Sequence, residues 1–123
     1  MAKKVLIVDD SAISRDLTGF AIAAVGYEVL TTPGGLEALE TMDAHGVDLA
    51  LVDVNMPGMD GYTLVRKIRS DRVFGEVPVI IVTTEKEAGD RQQGFEAGAN
   101  AYLVKPIGRD ELIAQIQLLI GDA

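Results

Sequence analysis

The stretch Val5-Leu6-Ile7-Val8-Asp9-Asp10 decides the fold: four apolar residues that stop abruptly at two acids. Such a run is far too short to span a bilayer, and it reads as a strand covered on both faces. The pattern returns at Leu49 to Val52, ended by Asp53. It appears again at Val77 to Val82, with Pro78 among its first residues and Thr83-Thr84 behind it, and at Ala101 to Val104, ended by Lys105. Tyr27 to Thr32 predicts a weaker, alternating strand. Unbroken apolar runs of this kind belong to parallel sheets with helices on both sides.

Helical periodicity fills the gaps. Ser11 is placed to cap a helix with the apolar stripe Ile13, Leu17, Phe20, Ala21 and Ala24, ending at Gly26. After the break at Pro33-Gly34-Gly35, the residues Leu36, Leu39 and Met42 predict a second helix that ends near Gly46. Leu64, Val65 and Ile68 mark a third. The segment Ala88 to Ala97 predicts a fourth, with a thin stripe interrupted by Gly94, and Leu112, Ile113, Ile116, Leu119 and Ile120 give the last a strong one. Alternating βα units with right-handed crossovers predict an α/β fold: a doubly wound, flavodoxin-like parallel sheet of five strands in the order 2-1-3-4-5. No linker-like tract interrupts the pattern, so residues 1–123 are expected to form one domain. The sequence stops just past the last helix, so the output is expected to be binding to another protein.

Composition narrows the function. Eleven Lys and Arg against 19 Asp and Glu give a net charge of −8, which disfavours nucleic acid and anionic membrane surfaces as partners. With no Cys, thiolate chemistry is excluded, and the lone His45 leaves neither a His-rich metal site nor a ready Ser–His pair. His45 itself is expected to have no role, and Met42, Met56 and Met59 read as packing residues. The opening Met1-Ala2-Lys3-Lys4 carries a signal peptide's charges, but the apolar run behind it is too short for one, so a cytoplasmic location is the default expectation.

The acids fall where open parallel sheets bind ligands, at the carboxyl ends of the strands. In this fold strands one and three are neighbours, so Asp9, Asp10 and Asp53 converge. Bare, they repel one another and at least one pKa rises, a conflict that a hard cation such as Mg2+ resolves. Lys105 and Thr83 lie across the cleft as donors for phosphate oxygens. This set describes phosphoryl transfer without a P-loop or a GxGxxG loop, so no nucleotide is expected and Asp53 itself is the expected nucleophile.

Across nearly its whole length the chain resembles the receiver domains of two-component response regulators, in particular the stand-alone, CheY-like members. The residues that carry the resemblance are Val8-Asp9-Asp10, Asp53 with Met56-Pro57-Gly58-Met59-Asp60-Gly61, Thr83, Gly98-Ala99 and Lys105-Pro106. It implies that Asp53 is the phosphoacceptor and that Mg2+ is held by Asp10, Asp53 and the Asn55 backbone carbonyl, with Asp9 acting through water. It further implies that Lys105 pairs with the phosphoryl group, that Thr83 moves toward it, that Tyr102 turns inward, and that Lys105-Pro106 is cis. Read alone, Thr83 is a strand-end donor more than β-branched strand filler, and Tyr102 stands open between a packing residue and a functional one. By the same resemblance Asn55 and Glu85 tune the phosphoryl lifetime, and this pair matches the chemotaxis-type members. The implied donor is a histidine kinase or a histidine phosphotransfer domain. The implied output face is the fourth helix, last strand and last helix, and its target is a protein such as a flagellar motor switch component.

Phosphorylation adds a charge of about −1.5 to −2, and each charge-assisted hydrogen bond is worth roughly 1.5–3 kcal/mol. Two or three of them match the ~5.5 kcal/mol needed to invert a two-state equilibrium. The turn Thr31-Thr32-Pro33-Gly34-Gly35 departs from the acidic or Asn-containing turn common in the family, and Thr84 is larger than its usual small residue. Two other receiver readings stay open, a phosphorelay intermediate and the receiver piece of a larger regulator. Among enzymes the rival is a Mg2+-dependent phosphatase with an aspartyl nucleophile. That chemistry needs an acid two residues after Asp53, where Asn55 stands, so only self-phosphorylation and self-dephosphorylation are expected. A flavin carrier on the same fold would place the cofactor's phosphate against acidic strand ends.

Overall fold

The structure is a computed structural model that describes residues 2–123. Five strands, β1 (Lys4–Val8), β2 (Glu28–Thr32), β3 (Leu49–Val52), β4 (Val79–Thr83) and β5 (Ala101–Val104), alternate with five helices. The helices are α1 (Ala12–Ala23), α2 (Gly35–His45), α3 (Gly61–Arg69), α4 (Ala88–Ala97) and α5 (Arg109–Ile120). All strand pairs are parallel and the sheet order is β2-β1-β3-β4-β5, the doubly wound arrangement expected from the sequence. Pro78 lies just before β4, where its carbonyl accepts from the Ala50 amide.

Two cores follow from the alternation of side chains along the strands. Leu6, Val8, Ala50, Val52, Val79, Ile81 and Tyr102 face α2, α3 and α4, and meet Met42, Leu64 and Ile68 there. Val5, Ile7, Leu49, Leu51, Ile80 and Leu103 face α1 and α5, and meet Ile22, Leu112 and Ile116. Met42 and Met56 are buried, as packing residues should be. His45 is exposed at the end of α2, where its carbonyl accepts from Lys4 Nζ.

The helix stripes hold for α3 and α5 but not for α1. Ser11 does cap α1 by accepting from the Ser14 amide. The predicted stripe, however, faces outward: Ile13 is 74% exposed, Leu17 65% and Phe20 74%. The buried side is Gly19 and Ile22. Gly19 lies over Val29 and Ile7, where a Cβ would make ordinary contacts of 3.5 Å with Val29 Cγ1 and 3.8 Å with Ile7 Cδ1. The helix meets the sheet through Gly19 and Ile22, while Ile13, Leu17 and Phe20 are turned to solvent. Likewise Leu36 on α2 is exposed while Ala38 and Met42 are buried.

Among the described residues, one buried side-chain polar atom has no partner, the Thr32 hydroxyl at the end of β2. A buried hydroxyl without a hydrogen bond opposes folding, and an isosteric apolar side chain removes that cost. Thr32→Val should therefore stabilise the fold by about 1 kcal/mol, seen as a higher urea midpoint at unchanged slope. A lower midpoint would mean that the hydroxyl is satisfied.

Candidate functional site

The strand ladders run past the strand ends and place the polar residues there. The Asp53 amide donates to the Val8 carbonyl at 3.0 Å, the Asp9 amide to Thr32 at 3.2 Å, and the Lys105 amide to Thr83 at 2.7 Å. These residues therefore sit on the edge of the sheet itself. Lys105-Pro106 is cis, as the resemblance implies.

One ammonium joins two of the acids. Lys105 Nζ lies 3.3 Å from Asp9 Oδ2 and 3.4 Å from Asp53 Oδ2. Its side chain is 28% exposed, against 12% for Asp53 and 8% for Asp9. Asp9 Oδ1 accepts from the Ser11 amide at 2.9 Å, so both of its oxygens are occupied. Arg15 clamps the same residue from α1, donating through Nη1 to the Asp9 carbonyl at 2.7 Å. Asp53 Oδ1 accepts from the Asn55 amide at 3.2 Å. Asp10 is exposed at the mouth.

The electrostatics separate the two buried carboxyls. Burial pushes Asp9 up, but hydrogen bonds from Ser14 and Ser11 and the charge of Lys105 outweigh it, leaving Asp9 below its ordinary value. For Asp53 burial wins. Lys105 and the Asn55 amide pull it down, the charge of Asp9 adds to the rise, and it ends above its ordinary value. This is the convergence expected from the sequence: one carboxyl is secured as an anion and its neighbour resists ionisation.

The donor set fits a small hard cation. Asp9, Asp10 and Asp53 each offer an oxygen, all within 4.8 Å of one another. Octahedral Mg2+ with bonds of about 2.0–2.1 Å places its ligand oxygens about 3–4 Å apart, so a slight contraction suffices.

The remaining candidates divide. Asn55 Nδ2 reaches Thr84 Oγ1 at 3.5 Å, which brings the loops after β3 and β4 together at the mouth. Thr84 lines the cleft with Asp53 and Lys105, whereas Thr83 does not. Thr83 is fully buried, and its Oγ1 accepts from the Glu85 amide at 3.2 Å. Tyr102 is buried, in the inward position, and its hydroxyl donates to the Glu85 carbonyl at 2.8 Å. Sequence reasoning passed over Ser14, Arg15, Tyr62 and Arg91 as contributors. The spacing of Ser14 and Arg15 one turn after Asp9-Asp10 was the one signal available for any of them.

The cleft, about 550 Å³, is walled by Ile13 and Leu17 of α1 and by Ile107 and Leu112 opposite. A response regulator receiver domain model matches residues 5–117 of the chain. The chain belongs to this family. The chemotaxis protein CheY1 of Helicobacter pylori is 39% identical over 120 residues, which cover 96% of this chain and 97% of that protein. The polar-differentiation response regulator DivK of Brucella ovis is 36% identical over 123 residues and covers both chains completely. Among solved structures, the receiver domain of the sensor histidine kinase PA1611 from Pseudomonas aeruginosa superposes with a TM-score of 0.90 at 31% identity, covering 99% of this chain and 100% of that one. That structure holds a magnesium ion coordinated in its active site cleft. The chain is thus a CheY-like receiver domain of two-component signalling. Among the described residues, no helix is long and apolar enough to cross a membrane.

The raised Asp53 carboxyl gives a signed expectation for this receiver. The folded protein holds that proton more tightly than the unfolded chain, so the charge works against folding at neutral pH. Below the ordinary value of 3.8 both states are protonated and the effect disappears. In chelator near pH 7, Asp53→Asn should melt above the parent, and the gap should close as pH falls below that value. Mg2+ at 100 times its Kd should add about 2.7 kcal/mol to the parent, and less to the variant. Equal melting of parent and variant across the pH range would contradict the electrostatic account.

Proposed function

We propose that this receiver is a phosphorylation-driven switch: Asp53 takes a phosphoryl group from a phosphohistidine on a histidine kinase or a histidine phosphotransfer domain, and the phosphorylated chain binds a downstream protein. The observation that carries this reading is the Lys105 ammonium shared by Asp9 and Asp53 at the head of the cleft. An Asp53 oxygen attacks phosphorus, the P–N bond of the donor breaks with its electron pair returning to the imidazole, and Asp53 becomes an acyl phosphate. Lys105 then trades its Asp53 contact for a phosphoryl oxygen while keeping Asp9.

Asp10, Asp53 and the Asn55 carbonyl are the groups that would hold Mg2+. Asp9 would act through water, as in the family this chain belongs to. The ion, when bound, supplies neutralisation of charge on the transferring group. Thr83 reaches the phosphoryl group only by releasing the Glu85 amide, which frees the loop ahead of α4. Asn55 and Glu85 stand on the two loops that flank the mouth and set how readily water attacks the acyl phosphate. With Asn55 in place of an acid, the chemistry stays within the chain and outside substrates are not turned over.

The apolar face of α1 is the surface for the donor. Ile13 and Leu17 line the cleft beside Asp53, and Phe20 continues the same exposed stripe one turn further on. A donor helix that presents its histidine into the cleft covers this stripe as it docks. Output runs through α4, β5 and α5. The likeness to CheY1 supports a chemotaxis or motility target such as a flagellar motor switch component. The likeness to DivK, over the full length of both chains, favours a relay role as the second reading. A cytoplasmic location accompanies either one.

Intact-mass measurement with Mg2+ and a small phosphodonor should show one added phosphoryl group on the parent and none on Asp53→Asn; equal uptake by both would refute the assignment. Lys105→Ala should still be phosphorylated but should bind its target at least ~10-fold less tightly than the phosphorylated parent, a loss of about 1.4 kcal/mol. Phe20→Ala should slow transfer from a phosphohistidine protein about 10-fold while leaving the small-donor reaction intact. An unchanged protein-to-protein rate would remove α1 from the docking surface.

A further inference from the structure

Tyr102 is held from more sides than its own strand provides. Its hydroxyl lies 3.1 Å from that of Tyr62, the second residue of α3, and both side chains are buried. Tyr62 also donates toward the Asp90 carbonyl in the first turn of α4, at 3.1 Å. Two hydroxyl protons thus serve three short contacts, to Tyr102, to Asp90 and to the Glu85 carbonyl. With Tyr102 donating to Glu85, its oxygen is free to accept from Tyr62. Burial raises the pKa of both phenols, so each keeps its proton at neutral pH.

The helix supplies a matching slot. A Cβ on Gly94 would lie 2.7 Å from Tyr102 Cδ2 and 3.1 Å from Ile81 Cδ1, so the Tyr102 ring occupies the space that an alanine would fill. Glycine in mid-helix weakens the helix, and here the same residue makes room for the ring. Arg91 stacks its guanidinium 5.2 Å above the ring and donates to the Tyr102 carbonyl at 3.2 Å. Gly94 and Ala97 are the only buried residues of α4, so the seat of this helix depends on these aromatic contacts.

Tyr62 also adjoins the acid site. The preceding residue, Gly61, packs directly on the backbone of Asp53 and Val54, where a Cβ would lie 2.8 Å from Val54 Cα, and its amide donates to the Val54 carbonyl at 3.0 Å. A shift of the loop after Asp53 therefore moves Tyr62, and Tyr62 carries it to Tyr102, Glu85 and Asp90 together.

We propose that Tyr62 is a positioning residue of the switch: its hydroxyl latches Tyr102 into the Gly94 slot and couples the Asp53 loop to α4 through the first turn of α3. This rests on Asp53 as the phosphoryl acceptor for its signalling meaning, while the latch itself can be tested without phosphorylation.

Tyr62→Phe keeps the ring and deletes the hydroxyl. With 13C-labelled tyrosine, side-chain couplings and ring shifts in the metal-free protein should show the buried-to-exposed ratio of Tyr102 falling roughly 5- to 10-fold, the loss expected for one buried hydrogen bond. With Mg2+ and beryllofluoride as phosphoryl mimic, the amide shifts of residues 88–94 should fall to less than half those of the parent, while phosphoryl uptake from a small donor stays within twofold. Gly94→Ala should expel Tyr102 with Tyr62 intact. An unchanged Tyr102 population in Tyr62→Phe, or a buried Tyr102 in Gly94→Ala, overturns the latch. Failure of the parent to take up phosphoryl would instead overturn the reading of Asp53, with the metal-free Tyr102 measurement still deciding the latch.

Discussion

Three carboxylates and one ammonium share the carboxyl edge of the sheet, and the rest of the molecule depends on how that charge is held. Two like charges about 4 Å apart repel by about 4 kcal/mol at an effective dielectric near 20, so a bare acidic triad is costly. Lys105 sits between Asp9 and Asp53 and relieves part of the repulsion. Asp9, with an amide and an ammonium on its oxygens, is the settled anion of the pair. Asp53 carries an amide and the same ammonium, yet burial leaves its pKa raised. A carboxylate in that condition has the most to gain from a cation or from conversion into an acyl phosphate.

The fold holds this arrangement in place because ladder hydrogen bonds extend one residue beyond the strands. Position is thus set by the sheet itself, whereas α4 is more lightly seated. That helix contributes only two small buried residues of its own. It is held by Tyr102 and Tyr62 from the neighbouring elements and by its own Arg91, which reaches back to the Tyr102 carbonyl.

Much of this was legible in the sequence. All five strands, their order, the triad and Lys105 could be read because each is a local pattern, an apolar run ended by a charged or polar residue, combined with a topology that admits few alternatives. The stripe on α1 misled, since periodicity reveals an apolar face without saying what covers it. Gly94 read as an interruption of a thin stripe, although it is the floor under Tyr102. The missing side chain mattered because of what lies opposite, and that partner is distant in sequence.

The sequence by itself determined the class of fold, the family and the identity of the acids, because strand runs and their terminal residues are encoded within a few positions of one another. Only the tertiary structure decided that Thr84 rather than Thr83 lines the cleft, that Ile13, Leu17 and Phe20 face solvent, and that Tyr62 meets Tyr102 across 40 residues of chain. The physical reason is the same for all three. The direction in which a side chain points at the end of a strand or on a helix is fixed by how closely the neighbouring element can approach, and that distance is a property of the packed pair.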